Sequence, residues 1–180
     1  MNIHGLRAFG IGAALTLGLL SPAAAQTEIT PAASAVTAST NDGNVPGNTV
    51  DNNLATRWSA NGDGQWLQFD LGTTRTVGSV KVAVYNGNTR QNRFELQVSA
   101  GGGVWTTIFN GQSSGTTTAE ESYDLGNVQA RYVRYFGHSA TTSTFNSVTE
   151  VSIFAGTATP TATPSSTPTP TSTTPPTRRC

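Results

Sequence analysis

The sequence has few of the residues with which small domains are cross-linked or given a strong charge. One cysteine, Cys180, occurs in 180 residues, so no disulfide can form within the chain. The ten basic and ten acidic side chains give a formal net charge of zero, which argues against a broad nucleic-acid-binding surface. The fold must therefore depend on its hydrophobic core, and nucleic acid is not an expected partner.

Residues suited to catalysis are also scarce. The only histidines are His4 and His138, and the chain has neither an H-E-x-x-H nor a G-x-S-x-G motif. Glu120 and Glu121 are adjacent, so on a strand they would point to opposite faces, whereas glycoside hydrolysis needs two carboxyl groups facing one bond. The sequence thus predicts a protein that is not itself an enzyme.

Both ends of the chain differ in composition from the middle. Residues 1–25 combine Arg7, a short apolar run and three small residues before Gln26, which is typical of a cleaved secretory signal peptide; an uncleaved anchor is the alternative. Residues 157–180 are rich in Thr, Pro and Ser and indicate an extended linker or tail. We expect a secreted, extracellular protein with one domain at 26–156. Either a catalytic domain belongs beyond the tail, or the tail acts alone.

Between these ends, apolar residues recur at every second position. The clearest runs are Leu67/Phe69/Leu71, Val80/Val82/Val84, Phe94/Leu96/Val98, Val133/Tyr135 and Val151/Ile153. Clusters of Gly, Asn, Ser and Thr separate them, and no stretch of ten residues after the signal peptide has helical periodicity. Short alternating strands with regular turns predict an all-β sandwich or barrel.

The stretch from Asn48 to Trp58 does not follow this alternation. Its Asp51-Asn52-Asn53 sequence predicts a turn, because Asp and Asn side chains bond to their own backbone and tolerate positive φ. Such a turn gathers carboxylate, hydroxyl and carbonyl oxygens, which are the ligands of hard cations such as Ca²⁺. The spacing leaves two interpretations open: a cation-bound loop, or an Asx turn without a metal.

The same stretch resembles the A-x-D-G-N-x-x-T-x-W signature of discoidin-like domains, also called coagulation factor type C domains. Further motifs of the family follow in order at residues 64–72, 77–82, 94–99, 130–134 and 147–151. Asn52 stands where the family usually has Gly, and Asn tolerates positive φ better than most residues. The resemblance covers residues 33–156 and implies an eight-stranded jelly-roll β-sandwich of the galactose-binding-like type. In particular, the chain is similar to the family 32 carbohydrate-binding modules found beside polysaccharide lyases.

This resemblance implies a structural Ca²⁺ that joins the early loop to the last strand. The implied ligands are carboxylate, hydroxyl and main-chain carbonyl oxygens of Asn48, Asp51, Asn53, Thr56, Thr149 and Glu150. Two carboxylates offset the charge of the ion, and neutral oxygens complete its shell. For Glu150 the alternative is a surface charge on an edge strand.

The resemblance also implies a sugar site in loops at one end of the sandwich. The expected contacts are Tyr85, Asn86, Arg90, His138, Phe145 and Asn146. In such sites an aromatic ring packs on the apolar face of a pyranose, and a guanidinium can hold a uronate carboxylate in a fork. Phe145 or Tyr85 would be the aromatic platform.

Several alternatives remain open for these residues. His138 could be a loop histidine without a ligand, and Phe145 an apolar plug beneath its loop. Arg57, beside the cation loop, is the weakest candidate for the site. The three tryptophans are assigned to the core or its rim because their neighbours have strand patterning; they are Trp58, Trp66 and Trp105.

Taken together, these features predict a non-catalytic module that targets a secreted protein to a polysaccharide. The expected ligand is an acidic glycan of the alginate or uronate type, or a galactose-type glycan. The alternative function is a cell-surface adhesion or protein-binding discoidin domain. Membrane insertion is not expected, because the predicted loop tips at 86–88 and 139–142 have no large apolar residues.

Overall fold

The structure is a computed structural model that describes residues 26–157. The predicted signal peptide, and all of the predicted tail except Thr157, lie outside the described residues. The strands are β1 (Val36–Ala38), β2 (Trp58–Asn61), β3 (Gln65–Val84), β4 (Asn92–Ser99), β5 (Thr106–Gln112), β6 (Glu121–Ala140) and β7 (Phe145–Ala155). Two short 3-10 turns, Ala33–Ala35 and Pro46–Val50, precede β2. In residues 26–157, no helix has the length and hydrophobicity required to cross a membrane.

The strands form two antiparallel layers that share their two longest members. In the first layer, β2 pairs with β7, β7 with the second half of β3, and β3 with the first half of β6. In the second layer, β1 pairs with the first half of β3, which pairs with the second half of β6; β4 and β5 follow. The predicted all-β sandwich is confirmed: residues 26–157 form seven continuous strands rather than the eight expected, and two of them, β3 and β6, serve both layers.

The core lies between the layers and is built from the alternating residues. The five predicted runs all belong to one buried cluster, in which Leu67, Phe69 and Phe94 have no exposed surface. Trp58 is fully buried, and its indole N–H donates to the carbonyl of Thr40 at 2.8 Å. Trp66 and Trp105 are half-buried outside this cluster, so they occupy the rim.

The two ends of the sandwich differ in what they carry. Loops 62–64, 85–91 and 141–144 meet at one end, where Gly62 N–H donates to Thr144 O at 2.9 Å and Thr141 N–H donates to Gln91 O at 2.9 Å. We call this the loop end. At the opposite end, Thr27 O accepts from Ala155 N–H at 2.8 Å. The described chain therefore enters and leaves the sandwich far from the loop end.

Candidate functional site

An exposed tyrosine ring lies in a cleft at the loop end. Tyr85 directly follows β3 and is 37% exposed, and its N–H donates to Ser147 O at 3.1 Å. The cleft has a volume of about 220 Å³ and is lined by Asp42, Arg57, Ser59, Tyr85, Arg90, Ser143, Phe145 and Ser147. We call it the Tyr85 cleft. It combines an aromatic face with hydroxyl and charged groups around it.

Two guanidinium groups lie against the Tyr85 ring. The Cζ atom of Arg57 is 4.4 Å from the ring centroid and that of Arg90 is 5.4 Å away, both within the range of cation–π attraction. Arg90 Nε also donates to Tyr85 O at 2.8 Å, which fixes the direction of its side chain. The ring therefore holds two positive charges at the same cleft.

Neither arginine has a carboxylate partner among residues 26–157. Arg57 Nε and Arg90 Nη2 are buried without a hydrogen-bond acceptor. Burial lowers the pKa of Arg90, the charge of Arg57 lowers it further, and the phenols of Tyr135 and Tyr85 act in the opposite direction. An anion placed between these groups would relieve both the repulsion and the missing hydrogen bonds.

Asp42 is the only carboxylate in the lining of this cleft. Hydrogen bonds from the side chain and backbone of Asn44 lower the pKa of Asp42, and the charge of Arg57 adds to this effect. With Asp42 ionised, the two arginines still leave an excess of positive charge in the cleft. Its charge and geometry suit a planar carboxylate held by a guanidinium fork.

Of the six residues predicted to contact a sugar, three line the Tyr85 cleft: Tyr85, Arg90 and Phe145. Asn86 belongs to the same loop and has a positive φ of 55°. Its carbonyl accepts from the N–H groups of Thr89 and Arg90 at 3.0 and 3.2 Å. Asn86 thus shapes the turn from which Arg90 reaches the ring.

Asn146, which was predicted to contact a sugar, lies inside the loop end and not on its surface. Asn146 is fully buried, its Nδ2 donates to Gly62 O at 2.7 Å, and its Oδ1 accepts from Ser139 N–H at 2.8 Å. A Cβ atom at Gly137 would collide with this amide. Asn146 therefore ties two loops together from the inside, and it has no surface to offer a ligand.

His138 lies in a different cleft, on the outer side of the second layer. This cleft, the His138 cleft, has a volume of about 670 Å³ and is lined by Asp63, Arg93, Asn110, Gly111, Gln112, His138 and Ser139. The His138 Nδ1 is 2.7 Å from Asp63 Oδ1, and its Nε2 is 3.2 Å from Glu95 Oε1. The structure therefore separates His138 from the arginines of the Tyr85 cleft, although sequence reasoning placed them together.

We expect the two carboxylates to keep His138 protonated above its ordinary pKa. Partial burial lowers the pKa of His138, but hydrogen bonds to Asp63 and Glu95 outweigh burial and raise it above 6.5. The stabilisation from this pair is fully present below pH 6.5 and is lost as the pH rises through the folded-state pKa. Titrating the imidazole signals by NMR should show an inflection above pH 6.5, and Asp63→Asn should move it down. An unchanged inflection in that variant would contradict the assignment.

The predicted cation loop forms the expected turn. Asn52 has a positive φ of 58°, as the replacement of the family's Gly by Asn predicts. Asp51 Oδ1 accepts from Asn53 N–H at 3.0 Å, and Asp51 Oδ2 accepts from the Thr56 hydroxyl at 2.7 Å. Asn48 Nδ2 donates to Arg57 O at 2.9 Å. The loop that carries Asp51 is therefore hydrogen-bonded to the backbone of Arg57, an arginine of the Tyr85 cleft.

Glu150 faces this loop from β7, next to Thr149. It is 6% exposed, and its Oε2 is buried without a hydrogen-bond partner. Burial and the negative charge of Asp51 raise the pKa of Glu150 to about 7. The structure thus places two carboxylates from distant parts of the chain close enough to repel each other.

This arrangement fits a hard cation. A buried carboxylate oxygen without a partner, a second carboxylate nearby and a turn rich in carbonyls are the donor set that Ca²⁺ requires. Residues 26–157 contain no cluster of three or more His, Cys, Asp or Glu side chains suited to a metal. A cation here would therefore depend on main-chain and hydroxyl oxygens for most of its shell, as the six predicted ligands provide.

Sequence reasoning undervalued Arg57 and did not select Asp42. A usable signal existed for Arg57: strand alternation places it on the opposite face from the buried Trp58. Arg57 also lies directly after the predicted cation ligand Thr56, so its sequence position alone does not distinguish the two sites. Asp42 lies in an irregular segment before the second 3-10 turn, and no periodicity could have assigned its direction.

Comparison with known proteins identifies relatives of this fold. The family model described as F5/8 type C domain matches residues 33–151. A search of the curated proteins found none that matches this chain. Among solved structures, the CBM32 of AlyQ in complex with 4,5-unsaturated mannuronic acid is 50% identical, with a TM-score of 0.66 over 67% of this chain and 93% of that one.

Two further structures agree with this result. Truncated AlyQ, with CBM32 and alginate lyase domains, is 45% identical with a TM-score of 0.70, and the match covers 77% of this chain and 36% of that one. A pectin-binding carbohydrate-binding module is 25% identical with a TM-score of 0.66 over 74% of this chain and 96% of that one. The chain belongs to the F5/8 type C domain family, and its described residues form a module of the family 32 carbohydrate-binding type.

Proposed function

We propose that this protein is a non-catalytic carbohydrate-binding module that holds an acidic polysaccharide through the Tyr85 cleft. The observation that supports this most strongly is the pair of arginines, Arg57 and Arg90, which lie beside an exposed ring with buried N–H groups that lack acceptors. A uronate unit supplies the missing carboxylate. The module of AlyQ, which is 50% identical, was solved with an unsaturated mannuronic acid, a ligand of this class.

The chemistry of recognition follows from the lining of the cleft. The exposed face of Tyr85 packs against the C–H groups of a pyranose ring, while the guanidinium groups of Arg57 and Arg90 bond to its carboxylate. The half-buried Ser143 lines the same cleft, and its hydroxyl can bond to a sugar hydroxyl. Ser59 and Ser147 also line the cleft, but they are buried and bond to each other at 2.9 Å. Because the cleft is small and open, we expect weak binding, in the micromolar to millimolar range.

The same lining supports binding rather than bond cleavage. Hydrolysis of a glycosidic bond uses two carboxyl groups on either side of the bond, and this cleft has one, Asp42. The pKa of Asp42 is lowered, whereas a general acid needs a raised one. The proposed role is therefore attachment to a polysaccharide and not its degradation.

We further propose that a structural Ca²⁺ is held by oxygens of Asn48, Asp51, Asn53, Thr56, Thr149 and Glu150. The ion would supply positive charge to the two carboxylates and tie the loop to β7. Glu150 and Asp51 would provide the negative charge, and Thr56, already bonded to Asp51, would help to orient it. The ion would have a structural role, and its site would lie beside the Tyr85 cleft.

The ends of the described chain suit a tethered module. They leave the sandwich opposite the loop end, so a partner attached there would not cover the Tyr85 cleft. We propose that the protein is exported by the segment at 1–25 and acts outside the cell. The Thr/Pro/Ser-rich segment at 157–180 would then act as a spacer toward a polysaccharide-degrading domain.

Affinity electrophoresis of the full chain through gels containing alginate, pectin or neutral galactan tests this proposal. We expect retardation by the two acidic polymers that weakens as salt rises, since charge pairs are screened. Retardation by galactan alone would show that the ligand is a neutral sugar and not a uronate. Migration unaffected by every polymer would refute carbohydrate binding and favour a protein-binding role.

A further inference from the structure

The outer face of the second layer carries aromatic side chains that the core does not use. Leu67, Val133 and Tyr135 point inward, so alternation directs Trp66 and Phe136 outward. These two are paired across β3 and β6, and both are half-buried. Large rings left on a sheet surface forgo the stabilisation that core burial would give. Their position therefore indicates a contact surface.

Arg134 and Trp105 extend this face beyond Trp66. The guanidinium Cζ of Arg134 is 3.6 Å from the ring centroid of Trp105 and 4.8 Å from that of Trp66. Arg134 Nη2 also donates to Gln68 Oε1 at 3.1 Å, and Arg134 forms no ion pair with any described residue. The stack holds both indoles in place on the surface.

The indole N–H groups differ between the core and this face. The Trp58 N–H is bonded to Thr40 O. Within residues 26–157, the N–H groups of Trp66 and Trp105 have no acceptor and are not sealed from solvent. They are donors available to a ligand, beside rings that can pack on apolar groups.

The His138 cleft lies on the same face, nearer the loop end. Glu95 bonds to His138 through Oε1, and its Oε2 accepts from Gln97 Nε2 at 2.9 Å. Gln97 is the register partner of Arg134, so polar groups run without a break from the cleft to the stack. From His138 to Arg134 this spans about 14 Å along β6, at about 3.4 Å per residue.

The lining of the His138 cleft supplies further groups without a partner. The side chains of Arg93, Asn110 and Gln112 line it and make no hydrogen bond to any other described residue. Arg93 shares the cleft with Asp63 and His138, and Glu95 bonds to His138 from beside it. A mixture of amide, guanidinium and carboxylate groups suits hydroxyls, which both donate and accept.

We propose that this outer face, from the His138 cleft to the Trp66–Arg134–Trp105 stack, is a second carbohydrate-binding surface. It takes an extended segment of a polysaccharide, whose C–H faces pack on the indoles and whose hydroxyls bond to the polar groups between them. This proposal rests on the proposed function and adds a site apart from the Tyr85 cleft. A sugar chain fits better than a protein, because Arg134, Gln68 and Gln97 interrupt the rings and leave no wide apolar patch.

The test uses the full chain carrying Arg90→Ala, which weakens binding at the Tyr85 cleft, and hexasaccharides prepared from alginate and from pectin. The three indole N–H signals are followed by NMR during titration. We expect the signals of Trp66 and Trp105 to move while that of Trp58, buried and bonded to Thr40, stays. No movement in this variant, with binding retained by the wild type, would refute the second surface and leave the proposed function intact. If the wild type binds neither sugar, both proposals fail.

Two substitutions measure the contribution of this surface. In the Arg90→Ala background, Trp105→Ala should weaken hexasaccharide binding by about threefold to tenfold, the range expected for one aromatic contact. The neighbouring Val104 is 84% exposed, and Val104→Ala is the matched control. Arg93→Ala, at an exposed residue of the His138 cleft, gives a second reading if Trp105→Ala disturbs folding. Wild-type affinity in both Trp105→Ala and Arg93→Ala would refute the surface.

Discussion

Arg90→Ala is expected to weaken binding of an oligouronate about tenfold or more. A hydrogen bond to a charged group contributes about 1.5–3 kcal/mol, and each 1.4 kcal/mol is about tenfold in affinity. Arg90 donates from a side chain already fixed by its bond to Tyr85 O, so little ordering is needed on binding. Arg90→Lys should recover only part of the loss, because an ammonium keeps the charge without the planar fork. Isothermal titration with alginate and pectin oligomers measures both effects.

The control for this experiment is Arg75→Ala, which removes the same charge from an exposed position outside the Tyr85 cleft. Its affinity should stay near the wild-type value. Thermal unfolding of Arg57→Ala without ligand should show no loss of stability, so the affinities of Arg57→Ala and Arg90→Ala can be compared directly. The reason is that Arg57 and Arg90 repel each other and keep buried N–H groups without acceptors. Equal affinities in wild type, Arg57→Ala and Arg90→Ala would exclude the Tyr85 cleft as the site.

The fold could be predicted because alternation acts on backbone geometry alone. Successive side chains of a strand point to opposite faces, so runs such as Phe94/Leu96/Val98 identify their inward residues without knowledge of their neighbours. The structure buries all three. The sequence could not show that β3 and β6 each continue through both layers. That depends on the shift in register between Asp70 and Arg75, which is set by the paired strands together.

The site was harder to predict because its polar side chains are assigned by partners distant in sequence. Asn146 bonds to Gly62, 84 positions away, and His138 to Asp63, 75 positions away. A polar residue in a predicted loop has the same local appearance whether it faces solvent or a buried carbonyl. The placement of Arg57 shows the same limit on prediction from sequence. Arg57 enters the Tyr85 cleft because the ring of Tyr85 lies beneath it, a contact that no local pattern contains.

Glu150→Gln is expected to stabilise the cation-free protein at pH 8 and to abolish its response to Ca²⁺. In the wild type, burial and Asp51 raise the pKa of Glu150 from 4.5 to about 7. The folded state therefore holds a proton that the unfolded state releases. This stabilisation is fully present below about pH 4.5 and is lost as the pH rises through about 7. The shift in pKa corresponds to about 3 kcal/mol of folding stability lost at high pH. Glu150→Gln removes this loss, because the Gln side chain is neutral at every pH and similar in shape to Glu.

Thermal unfolding in EDTA and in Ca²⁺, at pH 5 and pH 8, separates the two effects. For the wild type, stability in EDTA should fall between these pH values, and Ca²⁺ should restore it at pH 8 by about 3 kcal/mol at a hundredfold excess over Kd. At pH 5 the gain should shrink, because protons compete for Glu150. Glu150→Gln should show neither dependence, while Glu28→Gln, whose carboxylate is exposed and bonds to Thr30, should behave as the wild type. A calcium response that survives in Glu150→Gln would place the cation elsewhere, because the buried oxygen at β7 is what ties the ion to the last strand.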